Sequence, residues 1–198
     1  MADSSMAGLF PRRSHVCALI EGEEESAALI PLFIRDGSDR GEQVIAVAGG
    51  AWLDGLRRLL EAGDLGPAAS EAAGQLRLVP WNQIYPASLA RAGVGRALAS
   101  VEQIVAGAAE DSRYAGVRIL EQMDWMVSAS GGSQEVADYE RGVDRMVKAY
   151  AQPAVCVYDL SRLSGQLLIE ILSTHRLAMT RGTLVESPFY NETAKGKP

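Results

Sequence analysis

The 198 residues carry 19 Lys and Arg against 25 Asp and Glu, a formal net charge of -6, with 47% hydrophobic and 22% charged residues. That length fits one domain with a substantial core, and the acidic balance excludes the broad basic face that nucleic-acid binding requires. No apolar run approaches the ~20 residues of a membrane span, and two cysteines far apart in the chain point to a reducing cytoplasm without a disulfide framework.

Residues 1–13 lack the apolar core of a secretory signal and are expected to be a flexible tail, as are 191–198; residues 14–190 read as one domain. The first apolar run, His15–Ile20, has strand length and feeds an acidic turn, Glu21-Gly22-Glu23-Glu24-Glu25-Ser26. In nucleotide-binding α/β domains, this turn holds glycines and a lysine around phosphate. Here there is one glycine, no lysine and four carboxylates, so a triphosphate would be repelled and ATP hydrolysis is not expected. Acidic residues also suit the first turn of a helix through its dipole, which accounts for at least Glu24 and Glu25.

A helix over 23–39 follows, with either a kink at Pro31 or a regular part that starts near it expected, and a stop at Gly41. Residues 43–48 read as a buried strand, 52–60 as a short amphipathic helix and 63–74 as a loop. The third strand covers 75–81, residues 82–86 are irregular, and Ser88 can cap a helix running to about 109. The fourth strand covers 117–125 with its outflow, and 130–133 form a turn.

The clearest helix carries Val136, Tyr139, Val143, Met146, Val147 and Tyr150 on one face, with Glu135, Glu140, Arg141 and Lys148 placed off it. Residues 154–159 form the fifth strand, 167–175 a helix, and 177–186 a terminal hairpin around Arg181-Gly182. Short apolar strands alternating with helices imply a mostly parallel sheet buried on both faces.

Ligands of such sheets bind beyond the carboxyl ends of the strands. That rule gathers Glu21, Gly49, Trp81, Asp124, Trp125, Tyr158 and Asp159, with Tyr85 joining from its loop, into a partly apolar site. Glu121 and Asp159 could serve as acid and base if they faced one another. His15, Cys17, Cys156 and His175 offer zinc donor types, but their spacing makes no knuckle and buried cysteines are usually small core residues, so no metal and no cofactor is expected. His175 also suits a helix C-terminus. Neither a nucleophile elbow nor a Ser-His-Asp order is present.

Several patterns then occur in order: His15-x-Cys17 with its acidic turn, Arg40-Gly41-Glu42, Glu121-x-Met123-x-Trp125, Tyr139-Glu140, Cys156-x-Tyr158-Asp159, His175, and Ser187-Pro188-Phe189-Tyr190. Together they resemble the MEDS family, the methanogen/methylotroph DcmR-type sensory domain. The resemblance implies a three-layer RecA/KaiC-like α/β fold without an ATP-binding loop. It also implies a sensory role toward small organic ligands, in domains often joined to DNA-binding or kinase-type outputs. Carried over by residue, it points to His15, Glu21, Glu121, Trp125, Tyr139, Glu140, Tyr158, Asp159, His175 and Tyr190. Ser187 stands where the family favours asparagine.

The expectation is therefore a cytoplasmic, non-catalytic regulator that binds a small organic ligand at the sheet edge and signals to a protein partner in transcriptional control. No output segment is recognisable in the 198 residues, so contact or assembly, including homo-oligomerisation, would carry the signal. The competing readings are a ligand-free interaction protein and a carboxylate- or metal-dependent enzyme.

Overall fold

Residues whose side chains branch at Cβ, or are small and apolar, favour the pleated backbone wherever both sheet faces are covered. The computed structural model, which describes residues 10–85, 94–129 and 132–191, turns these runs into a seven-stranded sheet ordered β3-β2-β4-β5-β1-β6-β7. The strands are β1 His15–Ile20, β2 Gln43–Ala48, β3 Leu76–Pro80, β4 Val117–Gln122, β5 Ala154–Asp159, β6 Leu177–Thr180 and β7 Thr183–Glu186. All pairings are parallel except β6 with β7, the expected hairpin.

The helices are α1 Glu23–Asp39, α2 Gly50–Ala62, α3 Pro67–Ala72, α4 Trp81–Ile84, α5 Val94–Ala109, α6 Asp124–Ala129, α7 Ser133–Tyr150 and α8 Gly165–Thr174. Right-handed crossovers fix which face each helix covers. The connections from β1 to β2 and from β2 to β3 run toward the β3 edge, so α1 and α2 share one face. The path then reverses, and α5, α7 and α8 cover the other.

The core divides accordingly. Leu29, Ile30 and Phe33 of α1 and Leu53, Leu56 and Leu60 of α2 meet Val16, Ala18, Ala46, Leu120 and Val157. Val101 and Val105 of α5, Tyr139, Val143 and Val147 of α7 and Ile171 of α8 meet Cys17, Ile45, Ile119, Cys156 and Tyr158.

Several local expectations need correction. α1 is helical from Glu23 to Asp39 with Pro31 inside it, so its regular part starts eight residues before the proline rather than near it. The region 63–74 contains α3, started by Pro67 at its first turn, where a missing N–H costs nothing. Residues 81–84 form the short α4 instead of an irregular segment, and the outflow of β4 is α6. Phe10, placed in the tail on sequence grounds, is 2% exposed and meets Phe33 edge-on at 4.9 Å. The cap assigned to Ser88, the Ser130-Gly131 part of the turn, and the tail residues 1–9 and 192–198 lie outside the described residues.

Close packing of α7 on α5 depends on Gly142. A Cβ there would run into the Leu98 side chain, so Gly142→Ala is expected to cost about 1–3 kcal/mol through overpacking. Urea unfolding would show this as a lower midpoint at unchanged slope. An unmoved midpoint would mean that Leu98 swings clear.

Candidate functional site

Because β1 exits toward one face and β5 toward the other, the two adjacent strands create a topological switch point at their carboxyl ends. A crevice of about 590 Å³ opens there, on the face covered by α1 and α2. Ile20, Ala27, Ile30, Trp52, Leu56 and Leu59 supply its apolar wall, and Gln122, Asp124, Asp159 and Arg58 its polar groups.

The polar groups are mostly held by neighbours. Asp124 accepts from Gln122 Nε2 at 2.7 Å and from Arg162 Nη1 at 2.7 Å. Gln122 Oε1 accepts the Gly49 N–H at 3.1 Å. Asp159 Oδ1 accepts from the Ser161 backbone N–H at 2.9 Å and its hydroxyl at 2.7 Å, which caps the following turn. Arg58 is exposed and forms no ion pair among the described residues.

The acidic turn borders this crevice without converging on it. Glu25 reaches back so that the Glu21 N–H donates to its Oε2 at 2.6 Å. A carboxylate of the chain itself thus answers a backbone donor where a phosphate loop would meet its anion. The side chain of Glu21 is exposed.

The aromatic and acidic residues singled out from sequence lie mostly elsewhere, on the opposite face beneath α7. Side chains alternate along a strand, so Cys17, Glu121, Cys156 and Tyr158 point into the α7 side while Val157 and Asp159 point into the crevice. Glu121 and Asp159 therefore occupy opposite faces, which removes them as a facing acid–base pair.

Glu121 is 1% exposed. Tyr139 donates to it at 2.9 Å and Tyr85 at 3.0 Å, and the two hydroxyls are 3.0 Å apart. Trp125 stacks on Tyr85 at 3.8 Å and meets Tyr139 and Trp81 edge-on at 5.5 and 6.5 Å. These aromatics are packed on one another and do not line the crevice. Burial pushes the Glu121 carboxyl up to about 7, against the opposing pull of the Tyr139 hydroxyl. The same burial, reinforced by Glu121, raises both tyrosine hydroxyls.

A second cluster surrounds Glu140, which is fully buried, contrary to its assignment off the apolar face of its helix. Its Oε1 accepts from the Tyr158 hydroxyl. Its Oε2 lies 3.1 Å from His15 Nε2 and 3.5 Å from His175 Nε2, and Cys156 Sγ is 3.4 Å away. Burial alone would raise this carboxyl, but His175, His15 and Tyr158 together hold it down at about 2. Burial, then the neighbouring His15, depresses His175 to about 4 against the pull of Glu140.

His175 occupies the C-cap of α8, where its Nδ1 sits 2.9 Å from the Ile171 carbonyl, in keeping with the capping role read from sequence. Tyr190 is half-buried at the end of the chain's described part and contacts Lys148. Sequence reasoning missed the residues that build the crevice wall, Trp52, Leu56 and Leu59, because helical periodicity reads them as ordinary core. Only the topology places them beside the switch point.

The family model described as MEDS, MEthanogen/methylotroph, DcmR Sensory domain, matches residues 14–176. No curated protein matches the sequence. Among solved structures, the flagellar accessory protein FlaH of Methanocaldococcus jannaschii superposes with a TM-score of 0.63 at 15% identity, covering 92% of this chain and 82% of that one. The KaiC-like protein PH0186 of Pyrococcus horikoshii OT3 superposes with a TM-score of 0.56 at 13% identity, covering 85% and 71% respectively. These likenesses establish a RecA/KaiC-like fold. No described helix is long and apolar enough to cross a membrane.

Proposed function

We propose, since the chain belongs to the MEDS family of sensory domains, that it is a non-catalytic sensor taking a small organic ligand into the crevice at the carboxyl ends of β1, β4 and β5. The observation that carries this reading is the crevice itself. A volume of about 590 Å³ at the switch point, with an apolar wall and a few polar groups, has the size and chemistry of a small-molecule site.

The ligand is expected to be largely apolar with one polar end. Asp124 and Asp159 disfavour an anion beside them, and their hydrogen bonds to Arg162 and Ser161 leave limited free capacity. Signalling requires that the ligand distinguish two conformations, since equal affinity for both shifts nothing. Asp124 starts α6 and Asp159 caps the turn leading to α8, so movement of either carboxylate would reach both faces of the sheet.

Passage of that signal to a regulatory protein, in transcriptional control, completes the reading. Val185 on the edge strand β7 and Phe189 just beyond it are 43% and 48% exposed, which favours this end of the sheet as the contact surface.

Trp52 lines the crevice whereas Trp81 and Trp125 do not, so its fluorescence is a local reporter. Short-chain alcohols, ketones and amides should include compounds that change wild-type emission saturably. Ala27→Trp, which fills the crevice from an exposed position on α1, should abolish a concurrent thermal shift. Ligand responses that persist unchanged in Ala27→Trp would place binding elsewhere.

A further inference from the structure

We propose that His15, Glu140, Cys156 and His175 form a metal site for a divalent cation of the zinc class, enclosed between β1, β5, α7 and the end of α8. This site is on the face opposite the crevice, so the inference stands apart from the sensory reading above.

The geometry comes first. One donor atom from each residue lies within 4.8 Å of the other three. His15 Nε2 is 3.1 Å from Glu140 Oε2 and 3.4 Å from Cys156 Sγ; that sulfur is 3.4 Å from Glu140 Oε2, which is 3.5 Å from His175 Nε2. Bonds of roughly 2.0–2.3 Å to nitrogen, oxygen and sulfur give tetrahedral edges of roughly 3.3–3.8 Å, so these four separations fit closely. The two remaining edges, from His175 Nε2 to His15 Nε2 and to Cys156 Sγ, lie within 4.8 Å and close by a small shift of the His175 ring.

The second observation is an orphaned nitrogen. A carbonyl can only accept, so the 2.9 Å contact between His175 Nδ1 and the Ile171 oxygen puts the hydrogen on Nδ1. Nε2 of the neutral ring then presents a lone pair to a carboxylate oxygen. It has no hydrogen-bond partner and sits in a residue that is 0% exposed. Two acceptors facing each other in a dry core require either a proton or a cation between them. A backbone carbonyl that fixes the outer nitrogen of a histidine is also the usual second shell of a metal-bound imidazole. Tyr158 does the same for Glu140 by donating to its other oxygen.

Charge selects the ion. A Cys156 thiolate and the Glu140 carboxylate together supply two negative charges, which a divalent cation neutralises, leaving no net charge in the core. As the ion binds, the Cys156 S–H bond breaks, its proton passes to solvent, and the sulfur's electron pair forms the metal–sulfur bond. Thiolate, two imidazoles and one carboxylate form a borderline donor set suited to zinc, and unsuited to the oxygen cages of magnesium or calcium. Because all four residues are buried, the ion would be taken up as the chain folds. Cys17, paired with Cys156 across β1 and β5, is outside the donor group.

The test uses the full chain, free of any histidine tag, unfolded in chelator, freed of metal and refolded with Co²⁺ or Zn²⁺. The expected result is about one tightly held ion per chain, a sulfur-to-cobalt charge-transfer band and the intense visible absorption of tetrahedral cobalt. Cys156→Ala should lose the charge-transfer band, and His175→Gln should lose the tetrahedral spectrum. Cys17→Ala should keep both, and Tyr158→Phe should weaken affinity by about 10–100-fold. If a ligand variant does not fold, the wild type still decides: Zn²⁺ should raise its thermal midpoint and chelator present during refolding should lower it. Refolded wild type that binds no stoichiometric ion and has the same midpoint with zinc and with chelator would overturn the proposal. So would a cobalt spectrum without a sulfur band, and either result would leave an internal histidine–carboxylate network protonated at His175.

Discussion

Arg118→Met is expected to lower folding stability by about 3–5 kcal/mol, because it strands a buried carboxylate. Arg118, the second residue of β4, is 1% exposed near the amino ends of the strands. Its Nε donates to Glu42 Oε2 at 2.7 Å, and its Nη1 donates to the Phe33 carbonyl at 2.8 Å and to Asp36 Oδ2 at 3.0 Å. The guanidinium also lies over the Phe33 ring, 4.9 Å from its centroid. One side chain from β4 therefore ties down the last turns of α1 and the approach to β2. Methionine fills the aliphatic volume but leaves Glu42, itself 4% exposed, with no counter-charge.

The double variant Arg118→Met/Glu42→Leu should recover most of that loss, since replacing a whole buried pair by apolar groups is often close to neutral. Asp36 keeps Arg40, whose Nε donates to it at 2.9 Å. Urea unfolding of the two variants beside wild type checks both statements. A single variant within about 1 kcal/mol of wild type would show that Glu42 finds water or another donor once Arg118 is gone.

The second large effect is a dependence of stability on pH, centred on Glu121. Its folded carboxyl titrates at about 7 against an ordinary 4.5. Between those values the native state holds a proton that the unfolded chain has released, so unfolding becomes easier as pH rises. The contribution is fully present below pH 4.5 and has been lost once pH passes 7. At 1.36 kcal/mol per pKa unit it amounts to about 3 kcal/mol.

In the metal-free protein, other groups act over overlapping or lower ranges with the opposite sign. His175, depressed to about 4, contributes stability above its ordinary 6.5 that is lost as pH falls toward 4. Glu140, depressed to about 2, loses its contribution only as pH falls below 4.5 toward that value. The informative quantity is therefore a difference. Glu121→Gln keeps the shape and removes the titration, so its stability relative to wild type should improve by about 3 kcal/mol between pH 4.5 and pH 8. A relative stability that stays flat over that range would mean that Glu121 is ionised throughout in the folded protein.

The frame of this fold is legible in the sequence because five strands are short, largely apolar runs and the long crossover helices each have an apolar face. The parallel order then follows from burial on both sides, and the MEDS match and the RecA/KaiC-like neighbours agree with it. What was not legible is where charge is buried. Glu140 lies beside the apolar stripe of α7, and its charge led periodicity to assign it outward. The polar groups of His15, Tyr158 and His175, from three other elements, draw it in. Arg118 sits in a strand that looks apolar on both sides of it, and its partners lie some 80 residues away.

The site divides in the same way. The rule for open sheets directs attention to the carboxyl ends of β1, β4 and β5, where the crevice lies with Asp124 and Asp159 in its lining. It cannot tell which face a residue near a strand end will choose. A shift of one residue separates Tyr158 from Asp159 and sends one beneath α7 and the other into the crevice. Trp81 and Trp125 were gathered to the edge by the same rule, yet Trp125 packs on Tyr85 and Tyr139 on the α7 side and Trp81 meets Trp125 edge-on there. The acidic turn is also clarified by local geometry, since Glu25 satisfies the turn's own backbone before any ligand could.

Native mass spectrometry of the purified full chain tests the sensory account most directly, with wild type and Ala27→Trp each exposed to the same small organic compounds that shift Trp52 emission. The account predicts a one-to-one adduct on wild type that is absent from Ala27→Trp, with both proteins folded by thermal melt. Equal adducts on the two proteins, or none on wild type with any compound, would contradict a ligand site in this crevice.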